Sequence, residues 1–115
     1  MRVLGAIEQI TLAVADLDAA KDFYGARLGL PLVAAGDDLA IYDTGQAKLI
    51  VARATGAPTT GLELGFAVAN LDNALARLIG TGARVSVPPR TEEWGGRTVK
   101  FADPAGNLVT LVQYP

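Results

Sequence analysis

The chain has 115 residues, no break in composition, half of its residues apolar and a net charge of −2, which together describe one small folded domain. A chain of this size buries roughly two-thirds of its unfolded surface, enough for a core without staples. It contains no Cys and no His, which excludes disulfides, thiolate chemistry, imidazole bases, N/S zinc sites and two-His-one-carboxylate iron sites, leaving only oxygen ligands. No apolar run approaches the ~18 residues of a membrane span, and the stretch from Met1 to Gln9 has one basic residue and a β-like alternation rather than a signal-peptide core. The cytoplasm is the expected compartment. The ten basic residues are scattered, so no nucleic-acid face is expected.

In chain order, Ile7 to Val14 alternates, with Ile10, Leu12 and Val14 facing one way and Gln9, Thr11 and Ala13 the other, the period of a half-buried strand. Asp16 stands at an N-cap position ahead of Leu17, Ala20, Tyr24 and Leu28 at helical spacing. Gly29 and Pro31 close that helix. Strands are predicted at 32–35, 39–43 and 47–53, separated by turns at 36–38 and 44–46. Residues 54–60, rich in Gly, Pro and Thr, read as a linker. A second helix is expected over 71–79, stopping at Gly80 or Gly82, followed by strands at 84–87, 97–102 and 107–114. Asp103-Pro104-Ala105-Gly106 is a tight-turn signal between the last two.

The order of elements repeats. Residues 13–20 (AVADLDAA) match 67–74 (AVANLDNA) with six identities in eight at an offset of 54. Each block holds a strand end, a capping Asp16 or Asn70, and a helix start. This is read as an internal duplication of one βαβββ module, with module 1 at about 1–55, module 2 at about 61–115, and residues 54–60 between them.

The segment Ile10–Leu17 with Phe23-Tyr24 and Leu28-Gly29-Leu30, and Trp94-Gly95-Gly96-Arg97 with Asp103-Pro104-Ala105-Gly106-Asn107-Leu108, resemble the vicinal oxygen chelate superfamily of glyoxalases, bleomycin-resistance proteins and extradiol dioxygenases. The resemblance covers nearly the whole chain. It implies an α+β fold of two βαβββ modules with curved mixed sheets forming a cleft, and a homodimer whose modules complete each cleft. Metal-dependent members place ligands at the first and last strands of each module. Carried over, those positions are Gln9, Leu49, Glu63 and Thr110, with Leu49 the loosest match. Only Glu63 is a strong ligand type, so no metal and no cofactor are expected, and the metal-dependent activities are disfavoured.

Alternation puts Gln9, Thr11 and Ala13 on one face, as it does Glu63, Gly65 and Ala67, and Leu108, Thr110 and Val112. Small residues beside a few polar ones suit a cavity for an organic ligand, or simply allow close approach of surfaces. Within an apolar cleft, Glu63 would have a raised pKa and could transfer protons; alternatively it holds a cationic ligand, or is an exposed strand-end Glu with no role. Trp94 either stacks on a flat or cationic ligand or plugs the cleft edge. Arg90 and Arg97 are candidates for holding an anion or are solvated. Tyr42 and Tyr114 either line the cleft or cap the sheet. Phe23 and Tyr24 are expected in the core, and Asp16, Asn70, Asp103 and Gly106 in caps and turns.

The expected ligand-binding residues are therefore Gln9, Thr11, Glu63, Trp94 and Thr110, and the expected partner is a small organic molecule. Four functions follow in descending order, the metal-independent binding protein leading. They are a drug- or metabolite-sequestering protein, a metal-free isomerase or lyase using Glu63 with Arg97 or Tyr42 stabilising an oxyanion, a metal-dependent lyase or dioxygenase, and an interaction module with a collapsed cleft.

Overall fold

A computed structural model of the chain describes residues 3–115. Arg2, the basic residue of the N-terminal stretch, lies outside them. The chain divides into two compact units, Met1–Thr59 and Thr60–Pro115.

The first unit runs β1 (Gln9–Val14), α1 (Leu17–Lys21), a π-helical segment (Asp22–Arg27), β2 (Leu32–Ala35), β3 (Leu39–Asp43) and β4 (Lys48–Arg53). Its sheet has the order β1-β4-β3-β2, with β1 parallel to β4 and the other pairs antiparallel. The alternation in β1 has the expected consequence: Leu12 and Val14 are buried while Gln9 and Thr11 are exposed. Leu12, Val51 and Ala40 are register partners across three strands and all three are fully buried. They form one core with Leu17, Ala20, Phe23 and Tyr24 from the helical stretch.

Asp16 caps α1 by accepting the N–H of Ala19 at 2.9 Å, as its position before an apolar-periodic run requires. The helix does not continue as a regular α-helix to Leu28. After Lys21 the bonding widens, and the Leu28 N–H donates to the Phe23 carbonyl five residues back at 2.9 Å, a π-type bond. The widened turn brings the adjacent Phe23 and Tyr24 inward together, ring edge to face with centroids 4.9 Å apart. Gly25 lies against Tyr42, where a Cβ would come within 3.1 Å of the phenol oxygen. Tyr42 therefore packs under the helical layer, and neither lines an open face nor caps an edge. Burial pushes its phenol pKa up, which argues against a poised proton donor.

Residues 54–59 do not hang free of the sheet. The Ala54 N–H donates to the Val14 carbonyl and the Thr59 N–H to Ala13, both at 2.8 Å. Thr59 Oγ1 in turn accepts the Ala13 N–H at 2.9 Å. This stretch covers the outer edge of β1, satisfying groups an edge strand leaves open.

The second unit repeats the plan with β5 (Glu63–Ala67), α2 (Leu71–Gly80), β6 (Val85–Thr91), β7 (Arg97–Ala102) and β8 (Leu108–Gln113). Its order is β5-β8-β7-β6, with β5 parallel to β8. The fold class is thus α+β, two mixed four-stranded sheets each with one helical layer. Val99, Phe101, Val109 and Leu71 are fully buried between sheet and helix. Asn70 caps α2 through the N–H of Asn73 at 2.9 Å, and Gln113 at the end of β8 accepts the Leu71 N–H at 2.7 Å.

Strand β6 runs on to Thr91, four residues past the expected end at Val87. The Pro88-Pro89 pair reads as a strand stop in sequence. At a sheet edge the missing N–H groups cost no ladder bond, and the register shifts between Val87 and Arg90 absorb the prolines. Arg90 and Arg97, expected in one loop, therefore lie in facing strands around a short hairpin turn.

Candidate functional site

Each sheet has one face under its helices and one face away from them. In the second unit Glu63, Gly65, Thr110, Lys100 and Thr98 belong to the face away from α2, the uncovered face, on which Thr98 and Thr110 are themselves buried. Thr110 pairs with Gly65 on one side and Lys100 on the other, and opposed residues share a face. The turn after β7 sets β5 beside β8. Asp103 accepts the N–H groups of Ala105 and Asn107 at 2.9 and 2.8 Å. Asn107, almost fully buried, accepts the N–H of Leu62 through its own Oδ1 at 3.0 Å. Glu63 follows directly.

At that point three side chains meet. Glu63 Oε2 accepts from Lys100 Nζ at 2.8 Å and from Thr110 Oγ1 at 3.0 Å. The Lys100 side chain is 24% exposed and that of Glu63 48%. The hydrogen bonds from Lys100 and Thr110 hold the Glu63 carboxyl below its ordinary pKa, outweighing desolvation. The expected upward shift is thus reversed, because Glu63 is half exposed and its charge is matched. A carboxylate held ionised in this way is a weak proton acceptor near neutral pH.

Farther along the same face, Thr98 Oγ1 donates to Glu92 Oε1 at 2.8 Å. Arg90, the register partner of Thr98, pairs with the same Glu92 oxygen at 3.1 Å. Arg97 is not on this face. Its guanidinium grips both Asp72 carboxylate oxygens at 3.1 and 3.2 Å, tying β7 to the first turn of α2. Arg97 is thus a clamp on the fold and not an oxyanion group.

Trp94 projects from the β6–β7 hairpin, 52% exposed. Its ring lies flat over Gly96, where a Cβ would sit 2.0 Å from a ring carbon. Tyr114 joins it at a centroid distance of 5.6 Å. The two form an exposed aromatic pair.

In the first unit Gln9 and Thr11 lie on the uncovered face, exposed. Leu49 does not. It is 2% exposed and pairs with Tyr42 on the helix side. The residue equivalent to Thr110 is Ile50, which pairs with Thr11 as Thr110 pairs with Gly65. The first-module turn is shorter, and a one-residue slip in reading it swaps the faces of a strand.

The structure thus joins Glu63 to Thr110, places Gln9 and Thr11 on the other unit, and sets Trp94 with Tyr114. Sequence reasoning missed Lys100. The signal was present in β7, where Thr98 and Lys100 alternate with the apolar Val99 and Phe101.

A model of the Glyoxalase/Bleomycin resistance protein/Dioxygenase superfamily matches residues 6–111. The chain belongs to this superfamily. Solved structures that resemble this superfamily member include TnmS3, an antibiotic binding protein from Streptomyces sp. CB03234, at 27% identity, TM-score 0.83 and full coverage of both chains. A glyoxalase/bleomycin resistance protein/dioxygenase from Nocardioides is 22% identical with TM-score 0.83, covering 99% of this chain and 86% of that one. Lactoylglutathione lyase from Agrobacterium tumefaciens is 23% identical with TM-score 0.80, covering 97% and 96%. Comparison with curated proteins finds no match.

The superfamily's metal-dependent members need a donor set that this chain does not offer. Gln9 supplies one amide oxygen, Ile50 nothing, and Thr110 a hydroxyl already directed at Glu63. Glu63 itself faces an ammonium at 2.8 Å, a fixed positive charge beside the one strong ligand. No group of three His, Cys, Asp or Glu able to hold a metal occurs among the described residues. These residues do not fit a catalytic metal.

Proposed function

We propose that this superfamily member binds a small organic molecule, a drug or a metabolite, on its uncovered sheet face without a metal. The observation that carries the reading is the Glu63–Lys100–Thr110 cluster. It is a charge-balanced, hydrogen-bonded group on a face that no helix covers, beside the small residues Gly65 and Ala67. Such a surface supplies few directional contacts amid small side chains, as organic-ligand sites do. The likeness to TnmS3, an antibiotic binding protein, supports binding rather than turnover, and so does the depressed pKa of Glu63.

The reading includes a homodimer. Leu32 and Val33 on the edge strand β2 are more than half exposed, an apolar edge that self-association would cover. Light scattering behind a sizing column measures this directly.

A thermal-shift screen of small organic compounds beside divalent metal salts tests the binding. A ligand that binds the folded state raises the melting temperature by mass action. Organic compounds are expected to raise it and Mg²⁺, Mn²⁺, Ni²⁺ and Zn²⁺ to leave it unmoved. Stabilisation by a transition metal, with organic compounds silent, would overturn the proposal.

A further inference from the structure

The duplication supplies a control inside the chain. Gln9 opens β1 as Glu63 opens β5. Thr11 pairs with Ile50, and Ile50 with Ile41, just as Gly65 pairs with Thr110 and Thr110 with Lys100. Register therefore makes Gln9, Ile50 and Ile41 the counterparts of Glu63, Thr110 and Lys100. The first unit builds the same four-stranded order with an amide and two isoleucines at those three places. The architecture itself has no need of an ion pair and a buried hydroxyl there.

A lysine with three-quarters of its side chain covered costs desolvation unless its donors are used. An ammonium has three donors, and Glu63 takes one of them. Glu63 balances the charge of Lys100, so its remaining donors suit an uncharged carbonyl as well as a carboxylate.

We infer that Lys100 is a specificity-determining residue whose ammonium, held in place by Glu63 and Thr110, donates to a carbonyl or carboxylate oxygen of the bound molecule. The inference rests on the metal-free binding reading and assigns its ligand an oxygen acceptor. Glu63 and Thr110 are positioning residues, and Lys100 makes the contact.

Three probes of one shape but different heads test it: 2-naphthamide, 2-naphthoate and 2-naphthylmethylammonium, a head with donors only. Affinities are read from the ring-proton shifts of the probes themselves in NMR titration, a readout that every variant leaves in place. The acceptor-bearing probes are expected to bind about tenfold or more tighter than the ammonium probe, the scale of one charge-assisted hydrogen bond. Lys100→Met is expected to erase that preference. Tighter binding of the amide than the acid identifies a neutral carbonyl ligand, and the reverse a carboxylate.

The triple variant Glu63→Gln, Lys100→Ile, Thr110→Ile, which carries the first unit's residues, is expected to fold with unchanged or higher melting temperature and to show no preference. An unfolded triple variant would make the cluster a scaffold element and overturn the inference. Equal binding of all three probes, or a preference that survives Lys100→Met, would also overturn it while leaving the binding reading intact. Failure of every probe to bind would remove both.

Discussion

The side-chain oxygen of Asn107 accepts the backbone N–H of Leu62 at 3.0 Å, across 45 residues of sequence. The bond fixes where β5 starts against β8, and so where Glu63 meets Thr110. Asn107→Ala leaves the Leu62 N–H and the Asp103 carboxylate without this partner in a nearly closed space. The expected loss is about 2–3 kcal/mol, measured by urea unfolding. A loss within experimental error would show that β5 is placed by its own ladder alone.

Gln113 and Asn70 serve the same helix end. Gln113 takes the N–H of Leu71 and Asn70 that of Asn73, two of the donors a helix N-terminus leaves open. Each replacement by Ala is expected to cost about 1 kcal/mol. The two sites share one turn, so the double variant should depart from additivity. Urea unfolding of the four proteins measures the cycle, and strict additivity would mean that the two caps act independently.

Glu63 has a folded-state pKa below its ordinary value, so its ion pair adds stability that is present above the unfolded pKa. That contribution is lost as pH falls through the folded value. With half the side chain exposed, the stability effect is small and screened by salt. The sharper measurement is the Glu63 carboxyl carbon shift against pH. Lys100→Met removes the first cause of the shift and should move the midpoint upward, and Thr110→Val should move it upward by less. A midpoint indifferent to Lys100 would contradict the geometry.

Much of the fold was legible because alternation and caps are local. Leu12 and Val14 against Gln9 and Thr11, Asp16 and Asn70 before their helices, and the repeat of residues 13–20 at 67–74 each state their structure within a few residues. What escaped depends on contacts distant in sequence. The π-helical turn goes with burying Phe23 and Tyr24 together and seating Gly25 against Tyr42. The continuation of β6 through Pro88 and Pro89 depends on its being an edge. Arg97 was legible as a charge, but its partner Asp72 lies 25 residues away. For the site, the alternation placed Glu63 and Thr110 on one face. Lys100 was missed because a lysine in a strand looks like an ordinary solvated residue until its register partner is known. The raised pKa that an apolar cleft would give Glu63 does not arise, because the carboxylate is half exposed and paired with that same lysine.

Trp94 is the chain's single tryptophan, so its fluorescence reports one place, and two neighbouring glycines control it differently. At Gly96 a Cβ would overlap the indole at 2.0 Å. Gly96→Ala must lift the ring away and break its contact with Tyr114. The expected result is a red-shifted emission with a stability loss below about 1 kcal/mol, because the pair is already exposed. Gly95 instead has φ +99°, and a Cβ there meets only ordinary contacts with Pro115. Gly95→Ala strains the backbone and should cost about 1 kcal/mol or more while the indole stays over Gly96 with its emission little changed. If Gly96→Ala leaves the spectrum untouched, the ring does not rest on that glycine, and the aromatic pair loses its seat.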